Sequence, residues 1–245
     1  GNASASSASD PAAVFETSNG FSGVWHLGTD DFSDATSNNN DGTNSSTTNA
    51  GGRIGVGKEF NGSTQYINIS DHSSLDIETE LTLSAWINAD SWDGGNRRIV
   101  AKGTSDNQYF LFEEGSLEWN TPGVTDNNTT TSLPATNEWK HVVATFSNSA
   151  GTRKIYVDGI EVASESSLTG DIDVTGDDLD IGRKPSTGAA GDYFDGTMDE
   201  VRVESAARSA AWIKLSYENQ KQNQTLVDLE DLSDWSYSTN IVINT

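Results

Sequence analysis

Cysteine is absent from this 245-residue chain, and its absence removes several kinds of chemistry at once. Without cysteine there is no disulfide framework, no thiolate nucleophile and no zinc site built on thiolates. The fold must therefore be stable through its core alone. At this length we expect one large all-β domain rather than two small ones.

Positive charge is also scarce. Lys and Arg total 14 against 37 Asp and Glu, which gives a formal net charge of −23 at pH 7. A surface this acidic repels phosphate backbones, so the composition excludes nucleic acid as a partner. The acidity has two expected uses, which are the binding of divalent cations and solubility in a saline environment.

Long apolar runs are missing as well. No stretch approaches the roughly 18 apolar residues that a membrane-spanning helix needs, so we expect no membrane insertion. No basic-then-apolar signal peptide opens the chain, and we interpret it as a piece of a longer precursor. The abundance of Asn, Ser, Thr, Gly and Asp is typical of secreted bacterial modules, which predicts an extracellular location, secreted or on the cell surface.

Short runs of alternating apolar and polar residues fill most of the chain. In the segment LTLSAWIN at 81–88, the odd-numbered residues are apolar, which is the period of a β-strand. The pair Asp158-Gly159 between two such runs is typical of a two-residue hairpin turn. Eleven runs from residue 58 onward, with no helical pattern between them, predict an all-β fold made of two antiparallel sheets.

One short helix is expected near the C-terminal end of this pattern. Ser209 is a suitable N-cap for the segment AAWIKLSYENQ that follows it. Trp212, Leu215 and Asn219 fall on one face of that helix, and we expect the helix to pack on the sandwich.

The composition also divides the chain into three parts. Residues 1–20 are interpreted as an arm leading into the domain, or as the end of a preceding module. Residues 21–219 form the predicted domain. Residues 220–245 are interpreted as a linker and the start of a following module.

Several motifs occur together in a fixed order: GVWHL, DATSNNNDGT, EFNGSTQYINI, LTLSAWI, EWKHVVATF, KIYVDGIEV, IGR and FDGTMDEVRVESAARSAAWI. In this order they resemble the laminin-G-like family of the concanavalin A-like lectin and glucanase superfamily. The resemblance implies a jelly-roll sandwich with one short C-terminal helix. The flanks GNASASSASDPAAVF and WSYSTNIVINT resemble parts of a bacterial surface module, which implies neighbouring modules in the same chain as partners.

An acidic loop follows the first strand. Asp34 and Asp41 provide the hard oxygen ligands that calcium prefers, and self-capping turns are the alternative interpretation of the same residues. The resemblance implies a structural calcium between this region and an Asp on the last strand, which is Asp199 here. We therefore predict a structural calcium held by Asp34, Asp41 and Asp199.

Catalysis is not expected. Glycoside hydrolases place two carboxylates across the scissile bond, and those of this fold carry Glu-x-Asp-x-Glu, or the same pattern with one extra residue. That pattern is missing here, because the acids at 113–114, 118 and 171–173 lack a third acid at the required place. We predict no catalytic residue and a protein that is not an enzyme.

Aromatic residues in loops and at strand ends carry the binding hypothesis. Sugar rings stack on aromatic faces while polar side chains bond their hydroxyl groups. Trp92, Tyr109, Trp119 and Tyr193 are the predicted carbohydrate-binding aromatics, with Arg97 as a cation among them. Local packing is the alternative role for each aromatic.

Two further cations, Lys102 and Arg183, are notable because positive charge is so rare in this chain. Together with Arg97 they are of the type that reaches an anionic glycan. Neutralising neighbouring acids is the alternative role.

The leading hypothesis is a non-catalytic carbohydrate-binding or adhesive module of a secreted or surface multidomain bacterial protein. Its predicted partner is a polysaccharide or cell-surface glycan. A structural or protein-binding spacer is the alternative, and a polysaccharide hydrolase or lyase without the familiar acid motif is the third reading.

Overall fold

Two antiparallel sheets packed face to face make up the fold. The structure is a computed structural model that describes residues 10–92, 95–104, 107–125, 128–185 and 192–222. The strand pairs within the two sheets are antiparallel. This confirms the predicted all-β jelly-roll sandwich.

The first sheet contains eight strands. In spatial order they are β13 (Ile160–Ser166), β12 (Thr152–Val157), β11 (Lys140–Ser147), β6 (Glu80–Ala89), β15 (Asp195–Glu204), β4 (Val56–Asn61) and β3 (Thr48–Gly51), and β1 (Phe21–Trp25) also pairs with β15. Asp158 and Gly159 connect β12 to β13 with φ of 51° and 76°. Left-handed values at both central positions are those of a type I′ turn, so the predicted hairpin is confirmed.

The second sheet contains seven strands. In spatial order they are β10 (Thr129–Thr131), β9 (Leu117–Asn120), β8 (Tyr109–Glu113), β7 (Arg97–Lys102), β14 (Leu179–Ile181), β5 (Tyr66–Ile69) and β2 (Gly42–Ser45). One large hydrophobic core lies between the two sheets, and it includes the fully buried side chains of Trp25, Phe60 and Trp119.

Three short strands, β2, β3 and β10, are not among those predicted from the sequence. Their segments GTNS, TNAG and TTT have few apolar residues and no alternation of burial across a core. Each is a strand because its backbone hydrogen-bonds a stronger neighbour, respectively β5, β4 and β9. Pairing of this kind leaves no mark in local hydrophobic periodicity.

Among the described residues, two α-helices flank the sandwich: α1 (Pro11–Val14) and α2 (Ala210–Gln220). The Ser209 side chain accepts from the Trp212 N–H, which confirms the predicted N-cap. No helix among the described residues is long and apolar enough to cross a membrane.

The face by which α2 packs differs from the predicted one. Ile213 is its buried residue, in a cluster with Val143 and Tyr156 on the outward side of the first sheet. Trp212 and Leu215 remain 41% and 48% exposed. The prediction of a packed helix is confirmed, but the apolar face read from the sequence points away from the contact.

The structure describes only part of the predicted arm and of the predicted linker. The arm at 1–20 is described from residue 10, where α1 and a 3-10 turn at Thr17–Asn19 precede β1. Beyond residue 222, the predicted linker and following module lie outside the described residues. Both boundaries stay predictions.

Candidate functional site

The outward side of the second sheet carries a row of polar and aromatic side chains. Phe110, Phe112 and Ala101 form a small cluster that is separate from the core. Their strand neighbours Tyr109 and Leu111 lie in the core itself. Because side chains alternate along a strand, residues that pair with Phe110 across the sheet share its outward side. The row crosses five strands: Asn68, Asp180, Ala101, Phe110 and Asn120.

Asp180 is the most densely bonded member of this row. Its Oδ1 accepts a hydrogen bond from Asn68 Nδ2 at 2.8 Å, and its Oδ2 accepts one from Arg183 Nε at 2.8 Å. Arg183 Nη2 lies 2.6 Å from the same Oδ2. The Asp180 side chain is fully buried, whereas that of Arg183 keeps 14% of its surface exposed.

The pKa of Asp180 is raised from its ordinary value because burial disfavours its charged form. The nearby charge of Asp178 adds to the shift, whereas the hydrogen bonds from Asn68 and Arg183 oppose it. Burial therefore makes ionisation of this carboxylate less favourable in the fold than in water. Perturbed carboxylates of this kind are more frequent at functional sites than elsewhere.

The Arg183 guanidinium stacks on an aromatic ring. The Arg183 guanidinium carbon lies 3.4 Å from the centroid of the Tyr66 ring, a stacked cation–π contact. The Tyr66 ring is 6.3 Å from that of Tyr193. A planar guanidinium held between a carboxylate and a ring is fixed in orientation. The N–H groups that the carboxylate does not use are therefore fixed in direction as well.

A cavity of about 220 Å³ opens beside this arrangement. We call it the Asp180 pocket, and its lining consists of Asn68, Thr104, Gly176, Asp177, Asp178, Asp180, Arg183 and Pro185. The lining combines carboxylates, an amide, a hydroxyl and a guanidinium. Such a set bonds hydroxyl-rich ligands, because each hydroxyl group both donates and accepts.

A second cation lies further along the same side of the sheet. The Arg98 guanidinium carbon is 4.0 Å from the Phe112 ring centroid and 4.8 Å from that of Phe110. On the next strand, Glu118 accepts from Ser116 Oγ at 2.9 Å and from Asn128. The outward side of this sheet thus carries fixed charges and amides from β5 to β9.

Two of the predicted carbohydrate-binding aromatics lie elsewhere. Tyr109 and Trp119 are fully buried in the core between the sheets. Tyr109 donates its hydroxyl to the Leu75 carbonyl at 3.0 Å, and Trp119 donates Nε1 to the Thr145 carbonyl at 3.1 Å. The expectation that these rings face a ligand is wrong, because the alternation of β8 and β9 turns both inward.

The other three predicted residues lie near one another at the start of β15. Arg97 Nη1 donates to the Tyr193 carbonyl at 2.9 Å. Trp92 donates Nε1 to the Pro134 carbonyl, and its partly buried ring packs edge-on against Phe194 at 6.0 Å. Trp92 therefore packs locally. Of these three residues, Tyr193 alone has its ring beside Tyr66, the residue on which Arg183 stacks. A glycan-binding role for Trp92, Arg97 and Tyr193 stays a prediction.

Lys102 is a structural cation. Its fully buried ammonium lies 2.6 Å from Asp71 and 3.3 Å from Asp76. Lys102 therefore neutralises neighbouring acids, which is the alternative role given above.

The predicted calcium ligands of the acidic loop are engaged by donors. Asp34 Oδ1 accepts from the N–H groups of Val24 and Thr36, and its Oδ2 accepts from Thr36 Oγ1 and the Asn40 N–H. Asp41 in turn accepts from the Asp34 N–H at 2.9 Å. Carboxylates that accept from N–H groups in this way organise a loop.

Asp199 has a comparable environment. It is fully buried and accepts from the N–H groups of Ile54 and Glu200 at 2.7 and 2.9 Å. Burial raises its pKa to about 6, although the Ile54 N–H opposes the shift.

Across the part of the chain that the structure describes, no three or more His, Cys, Asp or Glu side chains are grouped to hold a metal. The structural calcium at Asp34, Asp41 and Asp199 stays a prediction.

Sequence reasoning missed Tyr66, Asn68, Arg98 and Asp180. Asn68 and Asp180 are 112 positions apart and meet only because β5 and β14 are neighbours. The available signal was in the strand LDIGR, where a charged residue stands between two apolar ones. An alternating strand places that residue on the outward side of a sheet.

Comparison with solved structures identifies similar folds. Domain 4 of AbnA, an extracellular GH43 arabinanase from Geobacillus stearothermophilus solved in complex with arabinotriose, matches with a TM-score of 0.63 and 18% identity, over 83% of this chain and 98% of that domain. The binding domain of Paraclostridial Mosquitocidal Protein 1 matches with a TM-score of 0.67 and 15% identity, over 82% of this chain and 52% of that one.

A botulinum neurotoxin type C structure, from a toxin dependent upon interaction with two ganglioside molecules to enter cells, matches with a TM-score of 0.65 and 11% identity. The match covers 82% of this chain and 51% of that one, so this chain spans about half of each toxin structure. At these identities the likeness is one of fold.

Comparison with the curated proteins finds no match. A laminin-G family profile, described as the concanavalin A-like lectin/glucanases superfamily, matches residues 61–214, which is more than half of the chain. The matched region runs from the end of β4 into α2 and includes most of both sheets. The chain therefore belongs to the concanavalin A-like lectin/glucanases superfamily.

Proposed function

We propose that this protein is a non-catalytic carbohydrate-binding module of an extracellular, multidomain protein, and that it binds a polysaccharide or cell-surface glycan at the Asp180 pocket. The observation that carries the proposal is the Asn68–Asp180–Arg183 arrangement stacked on Tyr66 beside that pocket. Preorganised donors and acceptors around a polar cavity are suited to sugar hydroxyl groups, because bonds fixed in advance lose little entropy on binding.

Two similar structures support this choice of ligand. The arabinanase domain is solved with arabinotriose, and the type C toxin interacts with gangliosides. Both ligands are glycans or carry one. An extracellular location is in keeping with the extracellular arabinanase as a neighbour.

A hydrolase is the second candidate, because two carboxylates meet in the pocket. Asn68 Nδ2 donates to Asp178 Oδ2 at 3.0 Å and to Asp180 Oδ1 at 2.8 Å. Retaining glycosidases act through a pair of carboxylates about 5–5.5 Å apart. However, Asp180 is tied to Arg183 and Asp178 to the Asp71 N–H. These bonds favour fixed recognition over proton transfer, and the proposal is therefore binding.

Calorimetric titration with arabinotriose and a panel of neutral and anionic oligosaccharides tests the site. We expect Arg183→Gln to weaken binding at least about tenfold, equivalent to about 1.4 kcal/mol. Lys154→Gln is the matched control, since it removes the same charge from the Lys154–Glu161 pair on the other sheet. Thermal unfolding of both variants verifies the fold.

Each other outcome decides against part of the proposal. Equal loss of binding in both variants would place the ligand elsewhere. Failure of the parent protein to bind any glycan would favour a structural or protein-binding spacer. Release of reducing ends during the titration would identify a hydrolase.

A further inference from the structure

A groove of about 510 Å³ lies between the segment at 14–21 and α2, and it shares no lining residue with the Asp180 pocket. We call it the helix groove, and its main lining residues are Val14, Phe15, Phe21, Arg208, Trp212 and Leu215. The chain segment that ends α1 forms one wall, and α2 forms the other. Phe15 and Phe21 meet edge to face at 5.3 Å at its base.

The groove exposes apolar side chains that the fold itself does not cover. Val14 is 66% exposed, and Trp212 and Leu215 on α2 are 41% and 48% exposed. These residues form one contiguous lining rather than scattered apolar positions. A contiguous apolar patch with a polar rim is a feature of docking surfaces.

Positive charge lines the same groove. The Arg208 guanidinium carbon lies 4.6 Å from the Trp212 ring centroid, and Arg202 lies over Phe15 at 5.3 Å. Arg202 Nη2 pairs with Glu200 and Arg208 Nε pairs with Glu204, but the buried Nε of Arg202 has no hydrogen-bond partner among the described residues. The groove is thus suited to a segment that is both apolar and acidic.

One segment of this chain has that composition. Residues 226–235, LVDLEDLSDW, combine apolar residues at every third position with four acids. The apolar residues at this spacing are Leu226, Leu229, Leu232 and Trp235, with Val227 as a fifth apolar residue, and the acids are Asp228, Glu230, Asp231 and Asp234. The segment complements both the apolar lining and the two arginines.

Its attachment point is at the groove. Gln220, the last residue of α2, is itself part of the lining. The five residues at 221–225 span at most about 18 Å when extended. A tether of this length gives a high effective concentration at the groove, so a weak contact is sufficient for occupancy.

We propose that residues 226–235 dock in the helix groove, with their apolar positions against Trp212 and Leu215 and their acids toward Arg202 and Arg208. The contact covers the apolar face of α2 and sets the direction in which the chain leaves the domain. It is independent of glycan binding.

Hydrogen–deuterium exchange of the whole 245-residue chain tests the docking. We expect the amides of residues 226–235 to exchange at least about tenfold more slowly than an unstructured segment. Leu215→Asp places a charge in the groove. Leu229→Asp places a charge in the segment and changes no residue of the folded domain. Each is expected to return these amides to unprotected rates.

Ile160→Asp is the matched control, because Ile160 is 67% exposed on β13 and lies outside the groove. It should leave the protection unchanged. Unprotected amides in the parent chain, or protection that survives both Leu→Asp changes, would overturn the proposal. Protection that rises with protein concentration would assign the groove to a second copy of the chain and equally overturn it.

Discussion

The outward sides of the two sheets differ in what covers them. On the first sheet, α2 packs through Ile213, and an apolar groove lies beside it. On the second sheet, Asp180, Arg183 and Asn68 satisfy one another beside the small apolar cluster of Phe110, Phe112 and Ala101. The first side is organised by burial of apolar area and the second by fixed hydrogen bonds. The proposed docking groove lies on the first side, and the proposed glycan site lies on the second.

The largest expected effect is the loss of stability when the contact between α2 and the first sheet is removed. Ile213→Ala removes the anchor of α2 from its contact with Val143 and Tyr156. We expect a loss of about 3 kcal/mol in the free energy of unfolding, which is typical of a buried Ile→Ala change. Urea denaturation measures it. Leu215→Ala on the exposed side of the same helix is the control, with less than about 0.5 kcal/mol expected.

A loss below about 1 kcal/mol for Ile213→Ala would contradict this prediction. It would mean that α2 is held instead by the Gln220 side chain, which accepts from Trp86 Nε1 at 2.7 Å.

An intermediate effect concerns pH and lies beneath α2. His141 is buried, with its ring 5.1 Å from that of Trp86 and 6.3 Å from that of Tyr217. Burial lowers its pKa to about 3, and the charge of Arg202 adds to the shift. The folded state therefore binds this proton less readily than the unfolded state, so stability is complete above about pH 6.5 and declines as the pH falls toward 3.

We expect His141 to account for a loss of about 2 kcal/mol between pH 6.5 and pH 5. His141→Phe keeps an aromatic ring at this position and removes the titration, so the variant should lose less stability over this range. Urea denaturation at the two pH values measures it, with the exposed His72→Asn as control. An unchanged pH dependence in His141→Phe would refute the assignment.

The smallest expected effect on stability is at the polar side. Burial raises the pKa of Asp180, so ionising it in the fold is unfavourable despite its pairing with Arg183. Asp180→Asn relieves that cost while losing the ion pair, and we expect a net change below about 1 kcal/mol at pH 7. Thermal unfolding measures it. A loss of several kcal/mol would make this arrangement a structural support, like Ile213, and would weaken the contrast between the two sides.

Local sequence was sufficient for the strong strands. The sequence alone predicts the alternation in β6 and the Asp-Gly turn between β12 and β13, because they reflect side-chain period and backbone preference. The N-cap at Ser209 is local in the same sense. By contrast, β2 and β10 exist only through pairing with β5 and β9, and nothing in their own residues indicates it.

The candidate site was predicted poorly for a related reason. Trp119 and Tyr193 are both aromatic residues next to polar segments, yet one is fully buried and the other only partly so. Which side of a sheet is inward depends on where the second sheet packs. Residue type alone does not contain that information.

The sequence by itself determined the class of fold, the main strands, the C-terminal helix and the lack of any thiolate chemistry, because each depends on residue type and local period. The tertiary structure decided that Asp180, Asn68 and Arg183 meet over Tyr66, that Asp34 and Asp199 serve backbone N–H groups, and that Trp212 faces outward. These outcomes depend on strand order and sheet packing, which are set by contacts between residues far apart in the chain.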